Sequence, residues 1–136
     1  MTPKISRSLR RLVSSRAGFR CEYCLLHESC VLGSHQADHV VARKHGGTTN
    51  GENLALACAF CNGRKGTDIS SIDPISRRRV HLFDPRQDRW SRHFRLRGAV
   101  IVPLTTKGRA TAHLLQFNAV ENVEFRRVLI AQGLYP

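Results

Sequence analysis

Cys21-Glu22-Tyr23-Cys24 and Cys58-Ala59-Phe60-Cys61 are two C-x2-C pairs with 33 residues between them. Each pair places two thiolates on one tight turn, and two such turns close the tetrahedral sphere that zinc prefers. Four thiolates leave no open position, so the expected zinc is structural. Its binding would contribute folding free energy, on the order of 10 kcal/mol in apparent terms. A disulfide framework does not suit a chain with no secretory features. A redox C-x-x-C would come singly, within a βαβ pattern that is absent here. Buried small hydrophobes are the remaining reading, and two matched pairs argue against it. Cys30, the fifth cysteine, has no knuckle partner and reads as a core or surface residue.

Between and just beyond the knuckles lie Asp38-His39-Val40-Val41, a Gly46-Gly47 turn, Asn53-Leu54 and Cys61-Asn62-x-x-Lys65. In that order these resemble the HNH endonucleases, a branch of the ββα-metal (His-Me finger) nucleases, over residues 16–68. The resemblance implies a metal-dependent enzyme that hydrolyses DNA phosphodiester bonds by a one-metal mechanism. It gives His39 the part of general base. Asp38 and Asn62 become ligands of a catalytic divalent cation, Mg2+ or Mn2+, and Asn53 ties the loop that positions His39. Asn62 stands where the family more often has His. The chemistry agrees, since an imidazole neutral near pH 7 can take a proton from water. A hard cation bound by oxygen ligands can act as Lewis acid at a phosphate. Taken singly, Asp38 reads as a turn residue, His39 as a core histidine and Asn53 as an Asx turn. Their order between the knuckles is what carries the chemical reading.

Charge points the same way. The chain carries a net charge of +12, and from Ser76 to Arg109 ten Lys or Arg face two Asp. Such an excess favours a polyanionic partner, because cations near phosphates release condensed counterions. Arg43, Lys44, His45, Arg64 and Lys65 near the motif, and Arg89, Arg95 and Arg97 beyond it, are the candidate phosphate contacts. The expected partner is DNA, with RNA also compatible. His35 shares strand parity with His39 and reads mainly as a surface residue. A zinc-stapled binding module that does not cut is the alternative function, and a protein-interaction scaffold a weaker one.

The expected fold class is α+β, a ββα-metal core stapled by a four-cysteine zinc site with a C-terminal β-hairpin and helical extension. An N-terminal helix occupies 1–20, the zinc-stapled nuclease core 21–70, and a basic α+β extension packed on that core 71–136. Ser6 is the expected N-cap of the first helix, Leu9, Leu12 and Val13 its buried stripe, and Gly18 its stop. A short strand is expected within His35–Ala42, and a short helix opening at Asn62. Another strand is expected at Val80–Phe83. Arg89–Arg97 alternates as a strand, with Trp90, Phe94 and Leu96 on one face, and pairs with Val100–Leu104. Arg109–Phe117 leans to helix, and Asn118 with Glu121 forms a capping box for a last helix ending before Gly133. The basic start lacks an apolar h-region, and no apolar run nears the roughly 18 residues needed to cross a bilayer. A cytoplasmic protein with no membrane role is expected; the oligomeric state is open.

Overall fold

The computed structural model describes residues 5–136. The architecture is α+β: five α-helices and three two-stranded antiparallel sheets among the described residues. Helix α1 (Arg7–Arg16) starts at Ser6, whose hydroxyl accepts from the Leu9 amide, as the sequence predicts. It stops in a Schellman arrangement at Gly18 (φ +62°), with the Phe19 amide donating to the Ser14 carbonyl and the Gly18 amide to Ser15. Only part of the expected stripe is covered. Val13 is fully buried against Leu54 and Leu56, whereas Leu12 stays half exposed.

Strands β1 (Gln36–His39) and β2 (Leu54–Ala57) pair in register, Gln36 opposite Ala57 and His39 opposite Leu54. β2 is buried on both faces. Leu54 and Leu56 meet α1, while Ala55 and Ala57 join the main core. Helix α2 (Ala59–Lys65) follows at once, completing a β-β-α unit. It opens three residues earlier than expected, because Cys58 is its N-cap and accepts from the Cys61 amide through its sulfur. Asn62 therefore sits inside the helix rather than at its start.

The rest of the chain builds a second half on the same core. β3 (Ser70–Ile72) pairs with β4 (Arg79–His81), a hairpin the sequence shows only at its second strand. Arg89–Arg97 is not one strand. Helix α3 (Trp90–His93) takes its first part and β5 (Phe94–Arg97) the second, pairing with β6 (Val100–Pro103). The turn lets the Trp90 indole donate to the Tyr23 carbonyl (2.8 Å), tying the extension to the first knuckle. Helix α4 (Thr106–Leu114) is capped by the Thr105 hydroxyl, and α5 (Val120–Ala131) closes the chain.

The capping box expected for α5 does not form. Its N-cap is Ala119, and the Asn118 side chain instead accepts from the Ile101 amide (2.9 Å) and donates to the Ile101 carbonyl (2.8 Å). One continuous core joins both halves, from Cys21, Tyr23 and Cys58 to Phe83, Phe94, Phe117, Leu129 and Tyr135. Phe94 stacks edge-on with Phe83 and Phe117, each at 5.5 Å between centroids. Such pairs contribute about 0.5–1.5 kcal/mol each beyond their buried area.

Candidate functional site

The four knuckle sulfurs converge. Cys21, Cys24, Cys58 and Cys61 are all buried, and their Sγ atoms lie within 4.8 Å of one another. Backbone amides of Cys24 and Cys61 point at the sulfurs of Cys21 and Cys58, as metal knuckles require. The neighbouring thiols, Cys21 foremost, pull the Cys58 thiol far below its usual value. Four clustered thiols with this donor set suit zinc. Cys30 stands apart, with its sulfur 4.0 Å from the Leu134 carbonyl.

The cluster fixes the start of α2, and α2 meets β1 beside Asp38 and His39. Asp38 is mostly buried, and its Oδ2 has no hydrogen-bond partner among the described residues. Its nearest cation is Lys65 Nζ at 3.2 Å. Burial pushes the Asp38 carboxyl up from its ordinary value, and the Lys65 ammonium pulls it partly back. A buried anionic oxygen with lone pairs to spare suits a hard cation. Asn62 lies on α2 one turn before Lys65, and its side-chain amide makes no hydrogen bond among the described residues.

Lys65 itself departs from expectation. It is 2% exposed, and its ammonium donates to the His39 carbonyl (3.0 Å) as well as facing Asp38. A cation so enclosed is an internal counter-charge for the site and not a phosphate contact. His39 is half-buried, and its Nε2 meets the Thr49 hydroxyl at 2.9 Å. Thr49 also accepts from Arg43 (3.1 Å). Burial lowers the imidazole pKa from its ordinary value, against the upward pull of Asp38, which favours the neutral form of the ring.

The intervening loop is held by one side chain. Asn53 Oδ1 accepts from the Val41 amide (2.9 Å), and its Nδ2 donates to the carbonyls of Val41 (2.9 Å) and Thr48 (2.8 Å). Gly47 packs so closely that a Cβ there would overlap the Val41 carbonyl oxygen. Thr49 gave no chemical signal in sequence beyond a hydroxyl ten residues past His39.

The remaining candidates separate. Arg43, Lys44 and His45 are exposed on a short 3-10 turn after β1. Arg64 is exposed and lies over the Phe60 ring, 5.1 Å from its centroid. Arg95 and Arg97 are exposed on one face of β5, and Arg89 is exposed just before α3. His93 turns inward to the Thr105 hydroxyl (2.7 Å). Arg86 is paired with Glu22. His35 is buried, with Nε2 on the Leu26 carbonyl (2.8 Å), and is not a surface residue. No helix among the described residues is long and apolar enough to cross a membrane.

Comparison with known proteins agrees with this geometry. Residues 21–68 match the family model described as HNH endonuclease. The chain is also similar to the Septu protein PtuB of Bacillus thuringiensis, 31% identical over 81 residues. That stretch is 60% of this chain, and the chain spans 29% of the relative's length. No solved structure matches it.

Proposed function

With an HNH endonuclease domain at residues 21–68 as the premise, we propose that the protein is a metal-dependent endonuclease that nicks DNA. The observation that carries the reading is His39, an imidazole standing beside the mostly buried Asp38 carboxylate, whose Oδ2 makes no hydrogen bond and faces the Lys65 ammonium. In this mechanism His39 Nε2–H donates to Thr49 Oγ1, which leaves the Nδ1 lone pair to take a proton from the attacking water. Arg43 also donates to that hydroxyl and helps to hold it in place. Asn53 and Gly47 hold the loop bearing Thr49, so the ring keeps one orientation. Asp38 and Asn62 hold a divalent cation, Mg2+ or Mn2+, which when bound supplies Lewis-acid stabilisation of phosphate and leaving oxygen. Lys65 keeps Asp38 ionised in its partly dry setting. Zinc on the four cysteines holds the base of α2, and thereby Asn62, against β1.

Supercoiled plasmid tests the proposal. The zinc-loaded protein is expected to nick it only with Mg2+ or Mn2+, and His39→Ala to lose about 10^2- to 10^4-fold in rate while staying folded. Equal DNA binding by both proteins without nicking would favour a non-cutting binding module. Preferential cutting of RNA at equal concentration would redirect the substrate.

A further inference from the structure

The tip of the β3–β4 hairpin is built around one carboxylate. Asp73 is completely buried. Its Oδ1 accepts from the Ile75 amide (3.1 Å) and Arg109 Nε (2.9 Å), and its Oδ2 from the Ser76 amide (3.2 Å) and Arg109 Nη2 (2.8 Å). Its backbone closes the turn as well, with the Asp73 amide donating to the Arg78 carbonyl (2.9 Å) and the Arg77 amide to the Asp73 carbonyl (2.8 Å). The fork of Arg109 reaches it from α4, so the turn is fixed to a helix rather than free in solvent. Two parallel charge-assisted bonds hold geometry more strictly than one.

What this fixed turn displays is unusual for a surface loop. Arg77, Arg78 and Arg79 are consecutive and exposed, and none has a carboxylate partner among the described residues. Arg77 holds φ at +67°, a left-handed conformation that glycine would adopt with less strain. Beside them stand exposed Pro74 and Ile75, the latter 73% exposed. An exposed apolar side chain flanked by cations on a turn fixed in place matches the chemistry of a duplex minor groove. There, apolar residues wedge at base steps while arginines take the flanking phosphates and the negative groove.

We propose that the β3–β4 tip is a minor-groove wedge for duplex DNA, with Ile75 and Pro74 entering the groove and Arg77, Arg78 and Arg79 gripping it. The inference rests on the DNA reading of the neighbouring nuclease domain. It adds a second anchor that fixes the duplex and bends it.

The test uses the full zinc-loaded chain without catalytic metal, so that binding is read apart from cleavage. Affinity for an A·T-rich duplex is followed by anisotropy across a salt series, and bending by energy transfer between end labels. The triple variant R77Q/R78Q/R79Q is expected to flatten the log–log salt dependence by two to three units, at about 0.9 for each phosphate no longer neutralised. Ile75→Ser is expected to keep most of the salt slope and lose most of the bend. A minor-groove-binding ligand preloaded on the duplex is expected to weaken the parent and leave the triple variant little changed. An unchanged slope and bend in these variants, with native circular dichroism, overturns the wedge even if plasmid nicking persists. Tip-dependent duplex bending without any nicking upholds the wedge while the nuclease reading fails. Tighter binding of single-stranded RNA than duplex, with no bend, overturns it too.

Discussion

Gly47 is the residue whose replacement should separate folding from chemistry. A Cβ at this position meets a backbone carbonyl, which cannot swing away as a side chain can. Gly47→Ala is therefore expected to push the loop outward, loosen the Thr49–His39 bond and cost at least about tenfold in nicking rate, since small displacements of catalytic groups are expensive. Circular dichroism should stay native, because the loop lies outside both buried clusters. Asp73 gives a pH prediction. The hydrogen bonds of Arg109 hold its carboxyl well below the usual carboxylate range. A depressed folded pKa means that its contribution is complete above the unfolded value of about 4 and is lost as pH falls below that. Thermal midpoints from pH 6 down to 2 should fall less steeply in Asp73→Asn than in the parent. This pair was not legible in the sequence, because its partners are 36 residues apart and each alone reads as surface charge. Asp38, His39 and Asn53 stood out because their motif is local. Lys65 departs from its sequence reading for a physical reason: sequence shows its charge but not that α2 turns it inward onto Asp38.

Among the elements, the start of α5 is held by a residue that does not cap it. Asn118 bridges both backbone groups of Ile101, so Asn118→Ala strands a donor and an acceptor near the core of the β5–β6 hairpin. A loss of about 1–3 kcal/mol is expected by urea denaturation. Glu121→Ala should change stability by no more than about 0.5 kcal/mol, as exposed substitutions usually do. A capping box would instead make Glu121→Ala cost more than that. The signals that worked were those settled within one turn of chain, such as the hydroxyl of Ser6 and the left-handed stop at Gly18. Those that failed turned on an unusual sulfur cap or on partners farther away. The thiol of Cys58 drew the start of α2 forward, and the pull of Trp90 toward Tyr23 broke an alternating run into helix and strand. β3 is three residues long, with two serines, and α4 packs on the hairpin it forms.

At the scale of the whole molecule, the thiol cluster and the extension share one core, so they should not unfold separately. Removing zinc with a strong chelator is expected to abolish a single cooperative melting transition, and to release the β5–β6 half along with the knuckles. Survival of a folded extension, seen as retained near-ultraviolet dichroism from Trp90, would show that the two halves are independent. The α+β class and the ββα centre could be read from the knuckles and the polar residues between them. The union of both halves could not, because it depends on aromatic side chains that meet only when the chain has folded. One of those closing contacts has a temporal meaning. The Tyr135 hydroxyl donates to the Cys24 carbonyl (2.7 Å), a bond spanning 111 positions of sequence. During synthesis all four thiols leave the ribosome well before Tyr135, so metal capture can precede the latch that covers it. The nascent chain thus passes through a stage in which the knuckles are assembled but exposed, open both to metal exchange and to oxidation, and the docking of Tyr135 ends that stage.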